Sequence, residues 1–193
     1  ICQAEKGISK MPRFVKLSAD GFEASNDSQW SCVYDRVNHL IWEVKRDDGS
    51  WRDKEFTFSW YAKPEESEGG GIKASASEPV NLSLQGKADG GDCIYINCDT
   101  ASYIAQINSE QICAISNWRL PHDAELRSLD HPSYFNPDID TDFFPHTMPG
   151  LYWSGSESAK NRSLALAVDF NNNIGYAKEK RSAHYVRAVA DAN

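Results

Sequence analysis

Three groups of residues in this chain have types and spacings that could do chemistry. Asp138, Asp140 and Asp142 alternate along one short stretch. Hard carboxylate oxygens so arranged suit calcium, although the stretch lacks the glycine and terminal glutamate of an EF-hand loop. The plain alternative is a set of turn and cap carboxylates. Cys93 and Cys98 form a Cys-x4-Cys pair. As a dithiol it would do redox chemistry; closed, it would staple a polar loop. Zinc held by Cys93, Cys98, Cys113 and His122 is poorly spaced for a tetrahedral site. The third group is polar. Ser154, Ser156, Glu157, Ser158, Asn161 and Arg162 follow an aromatic run, and Asn171, Asn172, Asn173, Tyr176, Lys178, Lys180, Arg181 and His184 lie beyond it. Short polar side chains interleaved with an aromatic ring and cations can hydrogen-bond a sugar or a carboxylate, or grip a protein loop. The alternative is a solvated hairpin with no special role.

Other chemistry finds no support. The chain has no Gly-x-Ser-x-Gly, Walker or His-Glu-x-x-His pattern. Its five histidines are scattered and do not by themselves make a triad. The expectation is a protein without catalytic residues. Trp118 and Arg119 read as structural: an aromatic filling the core between helix and sheet, and a buried or half-buried guanidinium pinning backbone carbonyls. Pro121 then sets the first turn of a helix.

These groups need elements to position them. Arg13 to Leu17 alternates before an Asp20-Gly21 turn. Trp30 to Asp35 and Leu40 to Lys45 are apolar-rich runs around a polar tetrad, which predicts a β-hairpin. Phe56 to Tyr61 is a further aromatic segment. Residues 63–92 carry glycine clusters and few large apolar residues, so they read as a long loop insertion. A helix is predicted over 99–112, capped by Asp99 or Thr100, with Tyr103, Ile104 and Ile107 at helical spacing. A second begins after Pro121, with Ala124, Leu126 and Leu129 as its apolar stripe and Pro132 as its end. Strands resume at Tyr152–Ser154, Leu164–Phe170, Ile174–Lys178 and His184–Val189. Asn171 to Asn173 makes a tight turn, since asparagine tolerates positive φ. Strands, two helices, then strands read as α+β with antiparallel strands and long loops, rather than a wound parallel sheet. The division is residues 1–27 as an N-terminal extension and 28–193 as one domain.

Composition sets limits. A net charge of −8 argues against sequence-independent nucleic-acid binding, which needs a basic face. No apolar run is long enough to span a membrane. Six Trp, eight Tyr and eight Phe can anchor the core of a chain short of long helices. Five cysteines, at 2, 32, 93, 98 and 113, leave one over. Cys2 is not read as a lipidation site, because the preceding Ile1 is bulky. Two disulfides in an oxidising compartment are expected, paired Cys98–Cys113 and Cys32–Cys93 with Cys2 left over. A direct Cys93–Cys98 bridge is the alternative.

Several words stand in a telling order: Trp30-Ser31-Cys32-Val33-Tyr34-Asp35, Leu40-Ile41-Trp42-Glu43-Val44-Lys45, Cys98-Asp99-Thr100, Trp118-Arg119-Leu120-Pro121, Glu125-Leu126, Asn136-Pro137, Ile139-Asp140, Phe144-Pro145, Tyr152-Trp153-Ser154, Val168-Asp169-Phe170 and Tyr185-Val186-Arg187. In this order and spacing, from about residue 28 to residue 190, the chain resembles the Legionella collagen-like protein C-terminal (Lcl C-terminal) domain family. It departs at Val37-Asn38-His39, where the family usually has a Thr-Gly turn, and at Ala114, where a glycine commonly follows the cysteine. The resemblance implies a C-type-lectin-like scaffold, related to that of formylglycine-generating enzymes. It implies an extracellular, cell-surface or periplasmic place in a bacterium. It also implies an exposed face in the last strands that tolerates variation, because diversity-generating retroelements vary it in some members. Those enzymes use a cysteine pair with copper, but their Arg-Gly-Gly-Ser-Trp signature is absent here, and a disulfide is expected instead.

The expected function is therefore non-catalytic recognition or adhesion, with a glycan or protein ligand on the C-terminal polar hairpin and calcium as the candidate cofactor. A first rival is a structural subunit of a pilus, filament or envelope assembly, forming homo-oligomers through the N-terminal extension. A second is a cysteine-dependent oxidoreductase using Cys93 and Cys98.

Overall fold

A computed structural model describes residues 11–25, 29–62, 85–131 and 136–192. Strands β1 (Phe14–Leu17), β2 (Cys32–Asp35), β3 (Leu40–Glu43) and β9 (Val189–Asp191) form an antiparallel sheet in the order β1-β2-β3-β9. Strand β4 (Phe58–Ser59) pairs with β8 (Ala183–His184), and β5 (Leu151–Glu157), β6 (Leu164–Asp169) and β7 (Ile174–Glu179) form a third sheet in chain order. Among the described residues, two α-helices, α1 (Thr100–Ser109) and α2 (Asp123–Arg127), separate the early strands from the late ones. The architecture is α+β, as the element order predicts. The segment read as an extension supplies β1, an edge strand of the first sheet.

Period-two alternation builds two cores on either side of that first sheet. Val33, Trp42 and Val189 face one side, where Leu126, Leu129, Tyr152, Val168 and Phe170 pack against them. Cys32, Ile41 and Ala190 face the other, with Tyr103, Ile107, Trp118 and Trp153. Trp118 fills the core as expected, and its Nε1 donates to Ile112 O at 3.2 Å.

Helix α1 starts where predicted: Asp99 accepts from Ser102 N at 2.8 Å. It ends sooner, at Ser109, because Gln111 (φ 49°), Cys113 (φ 58°) and Ala114 (φ 59°) take left-handed backbone. Gly21 packs directly against this exit, and a Cβ there would sit 2.6 Å from Cys113 O. In α2 the N-terminal amide of His122 donates to Glu125 at 2.7 Å. Leu126 and Leu129 are buried, but Ala124 faces solvent and does not belong to the apolar stripe. Pro132 lies outside the described residues.

Two further expectations are corrected. The disulfides are Cys32–Cys113 and Cys93–Cys98, not Cys98–Cys113 and Cys32–Cys93. Cys32 points from β2 into the core that receives the exit of α1, which brings Cys113 to it, while Cys93 and Cys98 lie 5.5 Å apart by Cα at the base of their own loop. Cys2 lies outside the described residues. The run from His184 to Val189 is not one strand: β8 and β9 belong to different sheets, and Tyr185 to Ala188 carries the chain between them. Of the loop insertion 63–92, residues 63–84 lie outside the described residues, while Gly86 and Asp92 return to bridge Tyr61 and Thr57.

Candidate functional site

The polar hairpin is built on β6 and β7, paired without interruption from Leu164↔Glu179 to Asp169↔Ile174. Its turn is shaped by its own carboxamides and one carboxylate. Asp169 Oδ1 accepts from Asn171 N at 2.9 Å and from Asn171 Nδ2 at 2.7 Å, and Asn172 Oδ1 accepts from Ile174 N at 3.0 Å. Asn173 takes the left-handed conformation (φ 53°), as the turn chemistry predicts, and its Nδ2 donates to Arg127 O at 3.3 Å. Asn171 and Asn172 are exposed, and so is most of β7. Ile174 is 49% and Tyr176 36% solvent-accessible. The Lys178 ammonium lies 5.3 Å from the Tyr176 ring centroid, and exposed Arg181 pairs with Glu179 at 2.6 Å. Asn161 is exposed and accepts from Ser163, and half-buried Arg162 reaches Glu157 at 3.4 Å.

Other members of the predicted face turn inward. Ser154 is buried, donating to Leu166 O at 2.9 Å and accepting from Ser156 N at 3.1 Å. Ser158 is buried, and half-buried Ser156 donates to Asp123 at 3.3 Å. Lys180 is 2% exposed, bonded to Glu157 at 2.7 Å, with its ammonium 4.1 Å from the Trp60 ring centroid. Burial lowers its pKa and Glu157 partly offsets the shift. Ser154, Ser158 and Lys180 therefore brace the hairpin from within. The exposed set is Asn161, Asn171, Asn172, Tyr176 and Arg181, with Lys178 beside them. His184 packs edge-on against Trp153, ring centroids 4.7 Å apart, and burial followed by the charge of Lys178 pushes its pKa down to about 4.

The alternating aspartates do not converge. Asp140 Oδ1 accepts from Asp142 N at 3.0 Å, an ordinary turn contact. Asp138 turns to Asp130; burial, then a hydrogen bond and the like charge of Asp130, raise its carboxyl above the usual range. Among the described residues no group of three or more His, Cys, Asp or Glu is arranged to hold a metal ion.

Sequence reasoning missed a buried charge cluster. Glu43 Oε1 accepts from Arg52 Nε at 3.0 Å and from the Tyr103 hydroxyl, and its Oε2 accepts from Ala188 N at 3.0 Å. Lys45 donates to the Tyr103 hydroxyl at 2.8 Å. Arg187 donates to Glu43 O at 2.7 Å and to Thr147 Oγ1 at 2.6 Å, with its guanidinium 5.0 Å from the Phe144 centroid. Burial opposes the charge on Glu43, yet Lys45 and Arg52 hold its carboxyl below the usual range. Burial brings Lys45 down to about 8 against the pull of Glu43. All of these side chains are sealed from solvent. Perturbed pKa values often mark active sites, but this cluster has no exposed member to meet a substrate. The visible signal was the strand pattern Trp42-Glu43-Val44-Lys45, whose charged face points into protein rather than water. The carbonyl pin predicted at Arg119 is filled by Arg187. Arg119 itself is half-buried, forks onto Glu125 with two bonds of 2.8 Å and reaches Asp191 at 2.9 Å, with only a 3.3 Å bond to Leu120 O.

No described helix is long and apolar enough to cross a membrane. Two disulfides suit an extracellular or periplasmic setting. Comparison with curated proteins and with solved structures returned no match. The profile of the Lcl C-terminal domain matches residues 31–190, which takes in both disulfides, the buried charge cluster and the polar hairpin. The chain belongs to the Lcl C-terminal domain family.

Proposed function

We propose that this domain is a non-catalytic recognition module of a bacterial surface or secreted protein, on a C-type-lectin-like scaffold, with a glycan or protein ligand bound at the C-terminal hairpin. One observation carries the reading. Exposed Asn171, Asn172, Tyr176 and Arg181, with Lys178, gather on a single hairpin whose turn is held by its own hydrogen bonds. A rigid polar loop with one aromatic ring and nearby cations loses little entropy on binding a sugar or a protein loop. The charged groups with strongly shifted pKa values are instead sealed inside, which favours a structural role for them. The closed Cys93–Cys98 bridge favours a staple over a working dithiol.

A glycan array probed with the full chain tests this reading. Saturable binding is expected, weakened at least about tenfold by Asn172→Ala with Lys178→Ala, since a hydrogen bond to a charged group is worth about 1.5–3 kcal/mol. An EDTA arm reports whether calcium takes part. Silence across the array would shift weight to the assembly reading.

A further inference from the structure

We propose that the outer edge of β7 pairs with β7 of a second copy of this chain, antiparallel, about a twofold axis at Ala177. This goes beyond the recognition reading and does not depend on it.

The direction of each backbone group follows from one bond. Lys180 N donates to Ser163 O at 3.3 Å, one step past the last pair, Leu164↔Glu179. Antiparallel pairs alternate between hydrogen-bonded and non-hydrogen-bonded. Tyr176 and Lys178 therefore turn their backbone groups toward β6, and Gly175, Ala177 and Glu179 turn theirs outward. The Glu179 carbonyl is taken by Ser182 N at 2.8 Å. The N–H and C=O of Gly175 and Ala177, and the N–H of Glu179, have no partner among the described residues.

The other edges of this sheet and of the four-stranded sheet are covered. Outside β1, Ala24 N donates to Lys16 O at 2.8 Å. Outside β9, Arg119 and Val189 exchange bonds of 2.9 and 3.0 Å. Outside β5, Tyr185 bonds to Leu151 and Trp153, at 2.9 Å each. Edge strands left open are templates for pairing, and proteins usually blunt them with proline, bulges, a cover or charged side chains, of which β7 carries only Lys178 and Glu179. β7 has no proline, its register with β6 has no bulge, and a Cβ on Gly175 would meet nothing within 4 Å. Ile174 and Tyr176 stand exposed along it.

The strand is complementary to itself. A twofold at Ala177 sets Tyr176 opposite the partner's Lys178 and Gly175 opposite the partner's Glu179, so no like charges meet. Each lysine then lies across from an aromatic ring, a favourable pairing. Moving the axis to Lys178 opposes two lysines, and moving it to Tyr176 forgoes both Tyr–Lys pairs. The chosen register forms about four backbone bonds, two between the alanines and one from each Glu179 N–H to a Gly175 carbonyl. The seam is smaller than the roughly 1,200–2,000 Å² of a stable interface, so the dimer is weak and forms at high concentration.

Sedimentation of the full chain from about 10 µM to about 1 mM, with amide exchange at both ends of the range, tests the proposal. A rise in mass toward the dimer is expected, with the Ala177 and Glu179 amides slowing in step while the Gly175 amide stays fast. Ala177→Pro removes an outward N–H without touching the β6 ladder and abolishes the rise; Lys178→Glu reduces it. A chain that stays monomeric overturns the proposal and leaves the edge to an extended peptide. So does a dimer whose Ala177 and Glu179 amides exchange as fast as in the monomer. Glycan binding by a chain that never dimerises overturns this inference alone, and dimerisation without glycan binding counts only against the recognition reading.

Discussion

Glu43 is the side chain on which most internal order depends. Its carboxylate meets Arg52, Tyr103 and the Ala188 amide, while its own backbone carbonyl holds Arg187. Tyr103, Arg187 and Ala188 come from distant parts of the chain, so the cluster ties α1, β3 and the end of the chain together. Breaking a buried ion pair from one side leaves the other charge uncompensated. Glu43→Gln keeps the shape and removes the charge, stranding Lys45 and Arg52. The expected loss is about 3–5 kcal/mol in urea unfolding, and a loss below about 1 kcal/mol, the scale of an exposed pair, would show that the cluster carries little stability. A second residue sets an acid-side limit. The folded protein holds His184 neutral down to about pH 4, while the unfolded chain protonates it near 6.5. Between those values the unfolded state binds more protons, so stability falls as the pH is lowered. The contribution is complete above pH 6.5 and is lost on the way to 4. Glu125, whose folded carboxyl is held below its ordinary 4.5, acts lower on the scale and leaves the upper part of the window to His184. Thermal midpoints measured across this window should slope down toward acid in the parent chain and flatten in His184→Gln. An unchanged slope in the variant would assign the effect to another group.

At the scale of elements, the two departures from the family pattern fall on strained backbone. Ala114 stands where a glycine commonly follows the cysteine, and it has φ 59°. His39, at the end of the turn where the family usually has Thr-Gly, has φ 54°. Left-handed backbone costs a residue with a Cβ about 1–2 kcal/mol, whereas glycine adopts it freely. His39 recovers part of this through a 3.2 Å contact between its ring and the Tyr34 hydroxyl, and Ala114 has no side chain to do so. Ala114→Gly should therefore raise unfolding stability by about 1 kcal/mol, less whatever glycine gains in the unfolded chain. A fall would mean that the loop relaxes around the alanine without strain. The strain was legible in advance only as a mismatch with a family pattern, because φ is not written in an isolated residue. What was legible outright is what short-range chemistry decides. The β2–β3 hairpin follows from alternating runs, α1 from Asp99 and the Tyr103–Ile107 spacing, and the 171–173 turn from three asparagines. What stayed hidden depends on distant partners. Arg187 reads like any strand arginine until β3 lies beside it, and Lys180 reads as exposed until Trp60 and Glu157 close over it. The final run divides because its two ends pair with β4 and β3, which belong to different sheets.

For the whole molecule, the two disulfides do different work. Cys32–Cys113 joins residues 81 apart and ties β2 to the exit of α1, spanning the first sheet and the helical region. Cys93–Cys98 joins residues 5 apart and closes only its own loop. In the chain-entropy account a cross-link stabilises by restricting the unfolded ensemble, by an amount that grows with the logarithm of loop length. That account predicts about 4.5 kcal/mol for the long closure and about 2 kcal/mol for the short one. Packing acts in the same direction, since Cys32 and Cys113 sit in a core of aromatic residues, whereas Cys93 is only half-buried. Replacing Cys32 and Cys113 together by alanine should therefore lower the urea midpoint by roughly twice as much as replacing Cys93 and Cys98. The second variant should keep the glycan affinity of the parent chain, because the loop it opens lies outside the hairpin. Equal losses from the two pairs would remove loop closure as the main source of stability and point to native-state packing around the short bridge instead.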